Sequence, residues 1–127
     1  MDEIRALIVD DSSVMRKIVE RMLRQAGLTQ LVVHEAGSGT EALELLRTTP
    51  VDLILSDINM PSMDGLEFLR QLRAQKLAPR TPVVMITTES SEEHVKQAIQ
   101  AGAQGDIRKP FTAEQVKERV LPLVMAA

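Results

Sequence analysis

Short apolar runs alternate with segments of helical periodicity from one end of the chain to the other. The apolar runs cover residues 4–9, 31–33, 53–56, 83–86 and 107–108, and each is followed by a stretch whose apolar residues recur at helical spacing. A strand followed by a helix, five times over, is typical of a parallel sheet with helices on both faces and right-handed crossovers. The pattern therefore predicts a single-domain (βα)5 doubly wound α/β fold with a five-stranded parallel sheet.

The first helix is predicted to begin at Ser13 and to end near Gln25, and Gly27 follows where a helix C-cap favours glycine. An i, i+4 spacing predicts a buried face made of Val14, Ile18, Met22 and Ala26. The basic residues of this helix predict a solvated face; they are Arg16, Lys17, Arg21 and Arg24.

Two further helix starts carry the spacing of a capping box, at residues 90–93 and 112–115. Pro122 lacks a backbone donor and disfavours helical geometry at Leu121, so the last helix is predicted to stop or kink there. Whether residues 123–125 continue it is left open by the sequence.

Composition narrows the class of protein. The 127 residues fit one domain, predicted at 1–127, with 44% hydrophobic and 26% charged residues. No apolar run has the length of a membrane span, and the net charge of -3 gives no general attraction to nucleic acid. The absence of cysteine excludes disulfides and thiolate metal sites and is compatible with the cytoplasmic location that we predict.

Polar residues follow four of the predicted strands directly. Asp10 and Asp11 end the first, Asp57 the third, Thr87 the fourth, and Lys109 the fifth. The carboxyl ends of parallel strands are where ligands bind in such sheets, so these side chains are predicted to line one charged pocket.

The acidic residues of this pocket need a counter-charge. Carboxylates within about 5 Å of each other repel by roughly 3 kcal/mol per pair at an effective dielectric near 20. Oxygen ligands without His or Cys favour Mg²⁺, which commonly bridges to a phosphate. Because a carboxylate can itself act as a nucleophile, the pocket is interpreted as a phosphoryl-transfer site that forms an aspartyl phosphate.

The same residues resemble a known family. Asp10-Asp11, Asp57, residues 59–61 and 64–65 (Asn-Met-Pro and Asp-Gly), Thr87, and residues 109–111 (Lys-Pro-Phe) look like the receiver domain of two-component response regulators. The resemblance covers nearly the whole chain and rests on five motifs in the right order. It implies a flavodoxin-like sheet with strand order 2-1-3-4-5.

The resemblance also implies roles for these residues. Asp57 would accept the phosphoryl group, with Lys109 and the Thr87 hydroxyl on its oxygens. Asp11, Asp57 and the backbone carbonyl of Asn59 would bind Mg²⁺ directly, and Asp10 would act mainly through water. The peptide between Lys109 and Pro110 would be cis, as it is in the family.

The same resemblance also bears on dephosphorylation and on how the switch works. Asn59 and Glu89 match the positions that flank the hydrolysing water, which predicts self-dephosphorylation that is not slow. We expect no other catalytic activity.

Asp106 stands where the family has an aromatic switch residue that moves inward with Thr87. A carboxylate would not bury beside a phosphorylated aspartate. The signal is therefore predicted to pass instead through the loop from Thr88 to Ser91 and the helix that follows, by a two-state shift biased by the phosphoryl charge.

The predicted function is a signalling switch whose output is protein binding, with several alternatives open. The phosphoryl donor would be a sensor histidine kinase or a histidine phosphotransfer protein. The basic face of the first helix, predicted to be simply solvated, would alternatively be the docking face for this donor. The target, such as a flagellar motor switch in chemotaxis, would bind residues 90–100, 106–108 and 112–121, and we expect a monomer. A phosphorelay shuttle, a phosphate sink and a fragment of a larger regulator are the alternatives.

Other classes of protein fit less well. A haloacid-dehalogenase-type phosphatase has a second acid two residues after its nucleophile, whereas Asp10-Asp11-Ser12 lacks that spacing. A flavodoxin would need flanking aromatic residues, and the chain has no Trp or Tyr. A nucleotide hydrolase would need a phosphate-binding Gly-x-x-x-x-Gly-Lys run, which the chain does not contain.

Overall fold

The computed structural model describes residues 3–87, 92–109 and 111–125. Helices and strands alternate along it in the order β1 (Ile4–Val9), α1 (Ser13–Gln25), β2 (Leu31–Ala36), α2 (Gly39–Leu46), β3 (Leu53–Asp57), α3 (Gly65–Ala74), β4 (Val83–Thr87), α4 (Glu92–Gln100), β5 (Gly105–Arg108), α5 (Ala113–Arg119) and α6 (Leu121–Met125). All strand pairs are parallel and the order is β2-β1-β3-β4-β5, so the predicted fold and strand order are confirmed.

The sheet separates two apolar cores. Along β1, Leu7 and Val9 pack with α2 and α3 on one face, while Ala6 and Ile8 pack with α1 and α5 on the other. Successive side chains of a strand point to opposite faces, so a strand that is apolar at every position is buried on both sides. Both faces of the central strands are covered, so a ligand would reach these strands at their ends.

The bounds predicted for α1 are confirmed, but its predicted buried face is right at Ala26 and wrong at Val14. Val19, Leu23 and Ala26 are the buried positions, whereas Val14 is 67% exposed. Val19 and Leu23, each one position after a residue of the predicted series, face the sheet together with Ala26. Ile18 and Met22 consequently lie at the rim of this buried face, half-buried.

The end of α1 agrees with the glycine signal. Gly27 has φ +123°, a left-handed conformation that is strained for residues with a side chain. Its N–H donates to the Arg24 carbonyl at 3.1 Å, and the next N–H, of Leu28, donates to the Leu23 carbonyl at 3.1 Å. These bonds satisfy carbonyls of the last turn and direct the chain back toward β2.

The predicted break near Pro122 is confirmed, and the residues beyond the break form a separate short helix. The Thr112 capping box starts α5, which ends at Arg119, and Pro122 then occupies the second position of α6. A first-turn residue needs no helical N–H partner, so proline is accommodated there and not in a continuous helix. The other predicted capping box includes residues 90 and 91, which lie outside the described residues.

Within the described ranges, we find no helix with both the length and the apolar character needed to cross a bilayer.

Gly65, the first residue of α3, is predicted to be intolerant of a side chain because α3 begins against the end of β3. A Cβ there would overlap the backbone oxygen of Asp57 and lie 2.8 Å from the Ile58 Cα. We expect Gly65→Ala to lower the free energy of unfolding by about 1–3 kcal/mol, measured by urea denaturation. Gly105→Ala is the matched control, since its Cβ would meet no atom within 4 Å. Equal unfolding midpoints for the two variants would contradict this close approach.

Candidate functional site

The strand register brings the predicted site residues to one edge of the sheet. Asp57 ends β3 and is paired with Ile86, next to Thr87 at the end of β4. Lys109 follows β5, and its N–H donates to the Thr87 carbonyl at 2.7 Å. Asp10 follows β1, with its N–H donating to the Ala36 carbonyl at 3.1 Å. Four strand ends therefore surround one pocket.

Three carboxylates converge in this pocket. Carboxylate oxygens of Asp10, Asp11 and Asp57 lie within 4.8 Å of one another. Asp10 and Asp57 are buried, whereas Asp11 is exposed. Lys109 places its Nζ 3.7 Å from Asp57 Oδ2 and 3.8 Å from Asp10 Oδ2. The Lys109 ammonium thus faces two of the three carboxylates, and the cluster retains an excess of negative charge.

Each buried carboxylate is oriented by a backbone donor. Asp57 Oδ1 accepts from the Asn59 N–H at 3.2 Å, and Asp10 Oδ1 accepts from the Ser12 N–H at 2.9 Å. Ser12 is also the N-cap of α1, with its hydroxyl accepting from the Met15 N–H at 3.2 Å. The second oxygen of each carboxylate is left facing Lys109.

Burial raises the pKa of both Asp10 and Asp57 above the ordinary value of 3.8. Lys109 and the backbone N–H donors oppose this rise, while the neighbouring carboxylates add to it. Desolvation is the largest cause for both groups, so the charged form is held at a cost. A cation in the pocket would remove much of that cost.

The donor set fits a hard divalent cation. Among the described residues, Asp10 Oδ2 is a buried side-chain oxygen without a hydrogen-bond partner. A buried acceptor left in this way is expensive, and a metal ion or its water would satisfy it. The cluster offers only oxygen ligands, which Mg²⁺ prefers. Asn59 is exposed beside the cluster, where its backbone carbonyl was predicted to serve as a ligand.

Asp106 lies apart from the carboxylate cluster. Its carboxylate, 17% exposed, is 3.7 Å from Arg108 Nε and 3.8 Å from Arg119 Nη1 on α5. It lines a polar cavity of about 250 Å³ between β5 and α5. Ion pairs this long and this exposed are worth about 0–1 kcal/mol each, so they stabilise the position of the Asp106 side chain only weakly.

Three predicted features lie outside the described residues. They are Thr88, Glu89 and the peptide between Lys109 and Pro110. Thr87 is buried at the end of β4.

Arg16 belongs to the site, although the sequence predicted a solvated position. Its Nη1 donates to the Asp10 carbonyl at 2.6 Å and its Nε donates to Glu35 Oε1 at 2.9 Å. The side chain is only 18% exposed. A basic residue one turn after an acidic loop, with an acid on the neighbouring strand, is the sequence signal that could have found it.

Comparison with known proteins agrees with this geometry. The family profile described as "Response regulator receiver domain" matches residues 6–121. The chain is 41% identical over 116 residues to the chemotaxis protein CheY of Pseudomonas aeruginosa, covering 91% of this chain and 92% of that protein.

Solved structures give the same result. The chemotaxis protein CheY4 of Vibrio cholerae superposes with a TM-score of 0.84 at 36% identity, covering 96% of this chain and 99% of that one. The receiver domain of a sensor histidine kinase from Pseudomonas aeruginosa, described with a magnesium ion in its active-site cleft, has a TM-score of 0.82 at 27% identity and covers 99% of this chain and 100% of that one. With its five-stranded sheet and its aspartate cluster, the chain belongs to the response regulator receiver domain family.

Proposed function

We propose that this protein is a phosphorylation-activated switch of a two-component system that accepts a phosphoryl group on Asp57. The observation that carries the proposal is the environment of Asp57. Its carboxylate is buried at a strand end, oriented by one backbone N–H, and faces Lys109 and two further acids. The relatives named chemotaxis proteins support a role in chemotaxis.

The reaction would be an in-line displacement at phosphorus. An Asp57 carboxylate oxygen attacks the phosphoryl group of a phosphohistidine on a histidine kinase or phosphotransfer protein. The new O–P bond forms as the P–N bond breaks. The electrons of the P–N bond stay on the ring nitrogen, and with a proton taken up by the ring the histidine leaves as a neutral imidazole. Lys109 would stabilise a phosphoryl oxygen at the same place where it now neutralises Asp57, and the Thr87 hydroxyl would bond another.

Mg²⁺ would bind at the carboxylate cluster. Asp11, Asp57 and the Asn59 carbonyl would hold it directly, with Asp10 acting through water. When bound, the ion supplies charge neutralisation for the phosphoryl oxygens. The protein would then catalyse only its own phosphorylation and dephosphorylation, with Asn59 and Glu89 beside the attacking water.

The output would be a protein contact on the α4, β5 and α5 face. Ile99 on α4 is 48% exposed, and the Arg108 and Arg119 side chains are 41% and 60% exposed. An apolar side chain near charged ones is the composition of a binding surface. A flagellar motor switch is the target we favour. A relay shuttle or phosphate sink is the alternative, because the chain also resembles the receiver domain of a sensor kinase.

A pull-down with and without beryllofluoride would separate these outputs. Motor components captured only with beryllofluoride would support the chemotaxis role. Capture of a histidine phosphotransfer protein in place of motor components would support the relay.

Phosphorylation is predicted to depend on Asp57 alone. Acetyl phosphate with Mg²⁺ should add the mass of one phosphoryl group to the wild type and none to Asp57→Asn, as measured by mass spectrometry. Asp106→Asn is the control, because Asp106 is a carboxylate outside the cluster and its loss should leave labelling intact. Equal labelling of the wild type and Asp57→Asn would refute the assigned acceptor.

The contribution of Asp57 to the stability of the metal-free protein is predicted to fall as pH rises. A buried aspartate with a raised pKa imposes no cost below 3.8, where it is protonated in both states, and its full cost above its folded-state pKa. At pH 8 without Mg²⁺, Asp57→Asn should therefore be more stable than the wild type by on the order of 1 kcal/mol. The difference should shrink toward pH 4.

Mg²⁺ should reverse this order, because it binds the folded wild type and offsets the repulsion. Urea denaturation at both pH values, with EDTA or with Mg²⁺, checks both expectations. A wild type that is insensitive to Mg²⁺ at pH 8 would contradict the metal assignment.

Asp106 is predicted to remain beside Arg119 when beryllofluoride and Mg²⁺ occupy the site. Movement toward Thr87 would bring its carboxylate close to phosphoryl charge and away from two guanidinium groups. The carboxyl ¹³C chemical shift of Asp106 reports this, with Arg119→Gln as the reference for a released side chain. A wild-type signal that moves to the Arg119→Gln value on activation would show the prediction to be wrong.

A further inference from the structure

We infer that Arg16 is a positioning residue that holds the Asp10–Asp11 loop in the geometry required for Mg²⁺ binding. The inference rests on the proposed phosphoryl-transfer function. It assigns to a side chain of α1 a role in a pocket otherwise built from strand ends.

The contacts of Arg16 connect three parts of the fold. From the first turns of α1, its Nη1 reaches the Asp10 carbonyl at 2.6 Å, which is short for a nitrogen donor. Its Nε meets Glu35 Oε1, on β2, at 2.9 Å. With 18% of the side chain exposed, the guanidinium is largely withdrawn from solvent between these partners. The charge-assisted bond to Asp10 is therefore better protected from competing water than a surface contact.

Asp10 is held at three atoms, of which Arg16 holds one. Its N–H donates to Ala36 and its Oδ1 accepts from Ser12, while its carbonyl accepts from Arg16. The remaining oxygen, Oδ2, is the buried acceptor that lacks a hydrogen-bond partner in the described part of the chain. The Asp10 carbonyl belongs to the same peptide plane as the Asp11 nitrogen. Loss of the Arg16 bond would free that plane to rotate and would displace the exposed carboxylate that is expected to bind the metal directly.

Glu35 provides the anchor that keeps Arg16 in place. Its second oxygen lies 2.8 Å from Lys17 Nζ, so one carboxylate receives two cations. These two cations lower the pKa of Glu35, which therefore stays charged near neutral pH. The charged Glu35 carboxylate can therefore hold Arg16 at the pH values at which the phosphoryl chemistry would operate.

Lys17 supplies a matched control. It carries the same charge and contacts the same carboxylate, but its side chain is 65% exposed and its ion pairs in the described part of the chain are with Glu35 and Glu20. Arg16→Met and Lys17→Met each remove one positive charge from Glu35. Only Arg16→Met removes the bond to the Asp10 carbonyl, so a difference between the variants isolates positioning from long-range charge.

Mg²⁺ titration by calorimetry is the primary test. We expect Arg16→Met to weaken Mg²⁺ binding about tenfold, the scale of residues that orient metal ligands, and Lys17→Met to change it less than about twofold. Arg16→Lys should recover part of the loss, because a lysine can reach the carbonyl but cannot bond both partners in a fixed geometry. Urea denaturation confirms that the variants are folded.

Two further readouts distinguish positioning from a general loss of structure. Hydrogen exchange at the Ser12 amide, which bonds Asp10 Oδ1, should accelerate in Arg16→Met and not in Lys17→Met. In labelling by acetyl phosphate, Arg16→Met should need more Mg²⁺ for half-maximal rate but approach the wild-type rate at saturation.

The outcomes separate this inference from the proposed function. Equal Mg²⁺ affinity and equal Ser12 exchange in Arg16→Met and Lys17→Met would overturn the role of Arg16 while leaving phosphorylation of Asp57 intact. A wild type that binds no Mg²⁺ and is not labelled would overturn the proposed function, and the metal role of Arg16 with it. A tenfold difference with partial recovery in Arg16→Lys would support the inference.

Discussion

Electrostatic repulsion among the carboxylates at the carboxyl edge of the sheet is the constraint on which this structure depends. Two of them, Asp10 and Asp57, are buried, and the ammonium of Lys109 lies within 4 Å of both. Isolated acids would separate or become protonated in such surroundings. They remain together because strand register and two packed cores place them there irrespective of their charge. The apolar fold thus sustains an unfavourable charge distribution, which a bound cation would offset.

The elements around the pocket act as rigid supports of that distribution. Gly65 allows α3 to begin directly against the end of β3, and the Asn59 N–H orients the carboxylate that the strand presents. On the other side, Ser12 and Arg16 fix Asp10 from α1. Each support comes from backbone or from a largely buried side chain, which limits the freedom of the acids without neutralising them. In a preorganised site of this kind, little free energy is lost to reordering when ligands bind.

The sequence was sufficient for the fold and for the strand-end residues of the pocket, but it placed Arg16 on a solvated face. Strand ends are visible as polar residues after apolar runs, and a parallel sheet necessarily gathers them, so Asp57 and Lys109 could be placed before any coordinates. The rotation of α1 could not be obtained in the same way, because several apolar stripes compete on one helix and tertiary packing selects among them; Val14 is exposed for this reason. The contacts of Arg16 and Arg119 depend on where two helices lie against the sheet, which local pattern does not encode.

The charged residues on the two outer strands have a consequence for self-association. β5 is four residues long and carries Asp106 and Arg108, and β2 carries Glu35 beneath Arg16 and Lys17. A sheet edge offers unpaired backbone groups to any neighbouring strand, and charges with short edges are the usual obstacles to such pairing. The same ion pairs that organise the helices around the sheet would therefore discourage edge-to-edge aggregation.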